Sequence, residues 1–240
     1  MPAGIEDMKT LCVIPVRGGS KGIPRKNLAE LFPGMSLLEW TIRQAQEVYE
    51  PDEIVVSSDD AEMLQVAESA GAQAIARPEA LARDESTTAS VVDHLLEELD
   101  AGGTLYQSVT ILQATSPLRQ SGDISAARAM LESGQYDSVV SGYREMHSHP
   151  AKFYFLDGET ARPVLPEFEA ARRQDLPPVY RRNGAIFMVT RGFYGQTGKL
   201  WGGRTGLTIM PLERSIDIDA PDDLERARNH FAAHSDSWTI

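Results

Sequence analysis

The stretch "RGGSKGIPRKN", residues 17–27, carries Arg17, Lys21, Arg25 and Lys26, and no acid lies between Asp7 and Glu30. Gly18, Gly19 and Gly22 let backbone amides approach a ligand closely. Amides beside guanidinium and ammonium groups suit a polyphosphate. A solvated basic turn is the plain alternative, but the chain's net charge is −12, so the cluster runs against its surroundings. The loop lacks the Lys-Ser/Thr spacing of a P-loop and the G-x-G-x-x-G of a dinucleotide turn. It is long enough to wrap a triphosphate rather than cap one phosphate.

A second stretch, "SIDID" at 215–219, reads as a strand end. Alternation then sends Ile216 and Ile218 to the core and Asp217 and Asp219 together to the other side. Paired carboxylates call for a cation. Mg²⁺ is the natural one, because it takes one or two carboxylates and completes its shell with phosphate oxygens. Asp219 can also cap the helix that follows, and the two roles can coexist.

Other stretches carry weaker signals. In "LQATSPLR" (112–119), Gln113 can hydrogen-bond a sugar or base and Arg119 can pair with an acid, though a tight turn after a strand explains the pattern equally well. Thr88 reads more naturally as a helix start than as a ligand contact. Arg172, Arg173, Arg181 and Arg182 form a second basic island, either solvated surface or a site for a carboxylate, which guanidinium forks bind in pairs. His147 and His149 lack the further ligands that zinc requires.

These residues need a frame that brings them together. "TLCVIPV" (10–16), "EIVVSS" (53–58), "AQAIA" (72–76), "SVTILQ" (108–113) and "DSVVSG" (137–142) read as strands. Helical periodicity falls between them at 36–49, 59–71, 87–102 and 121–134, with Ser36 and Glu39 at capping-box spacing. Such alternation predicts a mostly parallel α/β sheet with helices on both faces, and ligands beyond the carboxyl ends of the strands. Residues 143–184 break the pattern. Five prolines and no helical period there predict a lid or an arm reaching a partner subunit, with "AKFYFLD" (151–157) as one strand of a hairpin. Strands at 185–190 and 206–210 and a helix at 221–231 follow. The expected organisation is a core of 1–142 plus 185–240 and an insert of 143–184.

Composition limits the partners. An acidic chain does not offer the broad basic face that nucleic acid needs. No apolar run reaches the ~20 residues of a membrane span, and the acidic start "MPAGIEDMKT" does not read as a signal peptide. The lone Cys12 reads as a small buried hydrophobe. A cytoplasmic location is expected.

Together, "IPVRGGSKGIPRKN", "VSSDD", "RPEALARDESTT", "LQATSPLR", "RRQDLPPVYRRNGAIF" and "SIDIDAPDDL" resemble the acylneuraminate cytidylyltransferases, the CMP-sialic acid synthetase family, over about residues 10–231. The resemblance implies a three-layer Rossmann-like nucleotidyltransferase fold with a small dimerisation arm, and a homodimer. It implies CTP and Mg²⁺ as reactants with a nine-carbon 2-keto sugar acid. By it, Arg17, Lys21 and Lys26 hold the triphosphate within a nucleotide-binding loop that includes Gly18, Gly19 and Ser20. Asn27 contacts the nucleotide, and Arg77 and Thr88 lie near cytosine and ribose. Gln113 contacts the sugar; Lys152, Arg173 and Arg181 match positions associated with the acidic sugar, some across the dimer. Arg17, Lys21, Asp217 and Asp219 would carry the chemistry, the two aspartates as metal ligands. Val16 replaces a commoner Ala, and Phe187 stands where relatives often have Tyr, which bears on the sugar more than on the reaction. A nucleotidyltransferase for another base or sugar acid, and a non-catalytic nucleotide-binding protein, remain the alternatives.

Overall fold

A computed structural model describes residues 9–20, 22–83, 85–235 and 238. In chain order the elements are β1 (Thr10–Pro15), β2 (Glu30–Phe32), β3 (Met35–Ser36), α1 (Leu37–Gln46), β4 (Ile54–Ser58), α2 (Ala61–Ser69), β5 (Gln73–Ala76), α3 (Thr88–Ala101), β6 (Ser108–Leu112), α4 (Ser121–Glu132), β7 (Ser138–Arg144), β8 (Tyr154–Asp157), β9 (Thr160–Pro163), β10 (Tyr180–Thr190), α5 (Arg191–Thr197), β11 (Thr205–Ile209) and α6 (Pro221–Ala233). Seven strands form one sheet in the order β11-β7-β10-β6-β1-β4-β5.

The centre of the sheet is buried on both faces, so its strands are apolar throughout rather than alternating. Cys12 and Ile14 of β1 pack with Leu38 and Ile42 of α1, Met63 of α2 and Ile124 of α4. Leu11 and Val13 point the opposite way, into Val91, Val92 and Leu95 of α3 and Tyr194 of α5. Burial also pushes the Cys12 thiol above its usual range, as befits an inert core residue. A third cluster seats α6 against the β2–β3 hairpin through Phe32, Trp40 and Phe231.

Pairings among β1, β4, β5 and β6 are parallel, as is β7 with β11, but β10 runs antiparallel to both β6 and β7. The cause lies in the connection. β7 ends at Arg144 and β10 begins opposite it, at Tyr180, so the intervening arm leaves and re-enters at the same end of the sheet. A parallel return would need a crossover. The sheet therefore extends to Arg144 and resumes at Tyr180, inside the segment the sequence assigns to the insert. The arm itself carries the β8–β9 hairpin, with Phe155 and Leu156 exposed.

Two short features escape the periodicity. The β2–β3 hairpin is two to three residues a side, and α5 has the sequence RGFYGQT, with two glycines in seven residues. Neither is long enough to show a pattern. The expected strand at 215–219 is not part of the sheet. After β11 the chain takes a short 3-10 turn at Leu212–Arg214 and then passes, without regular secondary structure, to the turn after β6, where the Ile218 amide bonds the Thr115 carbonyl.

α1 starts as the sequence predicts. Ser36 Oγ accepts from the Glu39 amide at 3.2 Å and Glu39 Oε2 accepts from the Ser36 amide at 2.9 Å. Ser36→Ala is expected to lower stability by about 1 kcal/mol, measured by urea unfolding, with steady-state kinetics unchanged, because α1 only braces the core.

Candidate active site

The basic loop after β1 is tied down by the acids that follow β4. The Gly18 amide donates to Asp59 Oδ1 at 3.1 Å, and a Cβ on Gly18 would lie 2.9 Å from Asp60 Oδ2. Arg25, at φ +51°, forks onto Asp60 at 2.9 Å and Glu62 at 2.6 Å. Asp60 also caps α2 by accepting from the Glu62 and Met63 amides. One of the four loop cations is thus consumed in closing the loop onto α2. Lys21 lies outside the described residues.

The same loop presses on the aspartate segment. A Cβ on Gly22 would overlap the Asp219 carbonyl oxygen, so only glycine fits that contact. Lys26 Nζ donates to the Ile218 carbonyl and to Asp219 Oδ1, the latter at 3.1 Å. Gly19, by contrast, faces open space, with nothing within 4 Å of a Cβ placed there.

Asp217 and Asp219 are both exposed, Ile218 between them is fully buried, and Ile216 packs into the third cluster. The expected alternation is therefore present without the strand. A bond from the Ile218 amide to the Thr115 carbonyl, 2.8 Å, replaces sheet pairing as what holds the segment. Burial of its carboxyl and the charges of Asp219 and Asp223 push Asp217 above the usual carboxylate range, against the opposing pull of the Thr115 hydroxyl and Lys26. Among the described residues no group of three His, Cys, Asp or Glu side chains could hold a metal. Two carboxylates alone could serve only a cation that draws its remaining ligands from phosphate oxygens and water, as Mg²⁺ does.

A cavity of about 360 Å³ brings together Arg17, Ser20, Lys26, Asn27, Arg77, Thr88, Gln113 and Asp219. A wider hollow of about 1040 Å³ holds Arg181, Arg182, Phe187, Asp217 and, again, Asp219. A third, of about 930 Å³, is mostly apolar and adjoins both, sharing Thr88 and Gln113 with the first and Phe187 with the second. Asp219 therefore sits where the smaller and the wider hollow meet.

The candidate residues are held in different ways. Asn27 is buried and its amide donates to the Arg17 carbonyl at 3.4 Å, so its bond shapes the loop. Arg77 lines the cavity, but its Nη2 donates to the carbonyls of Val16 and Ser57, the latter at 2.8 Å. Burial, with the nearby Arg17 charge, lowers its pKa. Thr88 is the first residue of α3, whose cap is Thr87. Lys152 and Arg173 do not join the group within one chain. They line a hollow on the arm, where Lys152 donates to the Glu169 and Ala171 carbonyls and Arg173 to that of Met146. His149 is spent locally, accepting from the Ala151 amide and meeting the Pro177 carbonyl.

Among the described residues Arg119 pairs with no acid. It is wholly buried and its Nη1 donates to three carbonyls, of Gln113, Ser116 and Ala185, at 2.6, 3.1 and 3.3 Å. Sequence reasoning also missed the aromatic shelf beneath Arg182. That guanidinium lies 4.1 Å from the Trp201 ring centroid and 5.5 Å from that of Phe187. A β-bulge between Arg182 and Phe187, with Gly184 at φ +79°, turns the two side chains together, which no linear pattern signals.

This is the architecture of an α/β nucleotidyltransferase, with its site past the carboxyl ends of the parallel strands. A sequence model described as cytidylyltransferase matches residues 11–225, and the chain belongs to that family. It is 33% identical over 227 residues to the N-acylneuraminate cytidylyltransferase of Streptococcus agalactiae serotype V, covering 93% of this chain and 54% of that protein. It is 30% identical over 231 residues to the pseudaminic acid cytidylyltransferase of Campylobacter jejuni serotype O:2, covering 96% of this chain and 99% of that one. The chain thus spans about half the length of the streptococcal relative. The solved structure of CMP:2-keto-3-deoxy-manno-octonic acid synthetase with CTP superposes with a TM-score of 0.69 at 17% identity, covering 94% and 99% of the two chains, a likeness of fold.

Two outcomes follow. Gly22→Ala should force the loop from the Asp219 backbone and cut turnover far more than it lowers the melting temperature, whereas Gly19→Ala should leave the melting temperature unchanged. Asp217→Asn should raise the melting temperature in EDTA at about pH 8, because folding disfavours the charged Asp217. That gain should shrink as the pH falls through the carboxylate range and the wild-type carboxyl takes up its proton.

Proposed function

We propose that this chain transfers CMP from CTP to a nonulosonic acid, a nine-carbon 2-keto sugar acid, releasing pyrophosphate. The observation that carries this reading is the seam at Asp219, where the basic loop, the aspartate pair and two adjoining hollows converge. The family match and the names of the relatives support the base and the class of sugar.

The sugar's anomeric hydroxyl attacks the α-phosphorus, a new P–O bond forms, the bond to the β-phosphate breaks, and the hydroxyl proton is lost to solvent. Such a loose transition state needs alignment and charge stabilisation more than covalent help. Arg17 and Lys26 line the smaller cavity and would bind the phosphates. Lys21, on the same loop, would hold the leaving pyrophosphate. Asp217 and Asp219 would hold Mg²⁺, which when bound neutralises phosphate charge and lowers the pKa of the attacking hydroxyl. Gln113, at the junction of two hollows, would orient the sugar. Arg181 and Phe187 would line its site, with Trp201 as an apolar wall.

Lys152 and Arg173 lie on the arm, so their assigned role requires a neighbour's site. The exposed Phe155 and Leu156 of the hairpin supply apolar surface for such a homodimer. Among the described residues no helix is long and apolar enough to cross a membrane, and a cytoplasmic location is part of this proposal.

Pyrophosphate release, measured across CTP, UTP and GTP with a panel of 2-keto sugar acids, should be confined to CTP and nine-carbon acids. Asp217→Ala should lose about 10²–10³-fold in turnover. Wild-type rates in that variant would remove the metal assignment, and nucleotide binding without any pyrophosphate release would favour a non-catalytic role.

A further inference from the structure

Arg119 is fully buried in a chain that could fill the same space with an aliphatic side chain. Burial pushes its pKa down to about 10. No ion pair balances it among the described residues, and Nε and Nη2 find no hydrogen-bond partner there. Nearby Asp123 is instead held by Arg214, at 3.0 Å through Nη2, and caps the Gln120 amide. A lone buried guanidinium is costly unless its donors meet groups that would otherwise be unpaired. Nη1 meets three carbonyls, two in the turn after β6 and one, Ala185, in β10; that of Gln113 also accepts from the Ser116 amide, at 3.2 Å.

That turn supports the site from both ends. Gln113 lines two of the hollows. The Thr115 carbonyl accepts from the amide of Ile218, the residue between the two aspartates, and the Thr115 hydroxyl helps draw the Asp217 pKa down. The following carbonyls are held as well, Pro117 by Trp40 and Gln44, and Leu118 by Arg214. Arg119 extends to the turn the β6–β10 pairing that ends at Leu112 and Ile186, by joining it to Ala185 of β10, the strand that carries Gly184 and Phe187 into the wider hollow.

We propose that Arg119 is a positioning residue, which by clamping the 113–116 turn to Ala185 sets Asp217 and Gln113 for metal and substrate. Its link to turnover rests on the function proposed above; its link to the aspartate pair does not.

The test therefore reads metal binding and turnover separately, in full-length wild type, Arg119→Met and Arg119→Lys. Mn²⁺ binding is measured by calorimetry, and kcat and half-saturating Mg²⁺ are measured with CTP and whichever sugar acid the wild type accepts, all well below each melting temperature. Arg119→Met should bind Mn²⁺ about tenfold more weakly and lose about tenfold in kcat, the size of effect that outer partners of metal ligands carry. Arg119→Lys, whose ammonium has three donors for three carbonyls, should fall between the two. A variant that melts lower yet keeps wild-type Mn²⁺ affinity and kcat would overturn the proposal and leave Arg119 a packing residue. Should Arg119→Met not fold, Arg119→Lys decides alone, and wild-type Mn²⁺ affinity in it overturns the proposal. A wild type that releases no pyrophosphate with any sugar acid defeats the proposed function, while weakened Mn²⁺ binding in the variants still supports the positioning role.

Discussion

One ammonium group joins segments 192 positions apart. Lys26 donates to the Ile218 carbonyl and to Asp219, and beside it Gly22 lies flat against the Asp219 backbone. The rest of the site is arranged around that seam. Two carboxylates on one face of a short segment repel each other, and on a chain of net charge −12 the repulsion has little to screen it. The loop brings positive charge to that spot, and the glycine allows the approach that makes it effective.

The cost of gathering like charges is shared out among neighbours. Asp59, Asp60 and Glu62 hold the loop from the far side, through the Gly18 amide and Arg25. The loop's positive charge is thus partly spent on anchoring. Below it, Arg77 and Arg119 satisfy backbone carbonyls at the ends of β4 and β6. These two buried guanidiniums brace the chain beside the proposed phosphate site, Arg77 lining the smaller cavity and Arg119 lying within the core.

The core was legible because strands and helices buried on known faces leave regular patterns. The Ser36–Glu39 box, the Val91–Leu95 stripe and the Ile216–Ile218 alternation all survive in the fold. The alternation misled in one respect. A segment held outside the sheet, by the Thr115–Ile218 bond and by Lys26, has the same periodicity as a sheet strand. Motif types pointed to the loop and the aspartates, yet they could not reveal how a polar residue is used. Asn27 and Arg77 line the cavity while spending hydrogen bonds on backbone carbonyls, and carbonyls carry no sequence signal. Arg119 reads in the sequence as a partner for an acid, and its carbonyl partners go unsignalled for the same reason. The pairing of Arg182 with Trp201 depends on a bulge in β10, and the separation of Lys152 and Arg173 from Gln113 depends on where the arm leaves the sheet.

The central claim is that a divalent cation unites the aspartate segment with the phosphates held by the basic loop. Anomalous scattering from Mn²⁺ in crystals grown with CTP tests it most directly. The account predicts a peak about 2.0–2.3 Å from carboxylate oxygens of both Asp217 and Asp219 and from a phosphate oxygen of the nucleotide. A nucleotide bound in the smaller cavity with no metal peak at the aspartates, or with the metal held elsewhere, would contradict it.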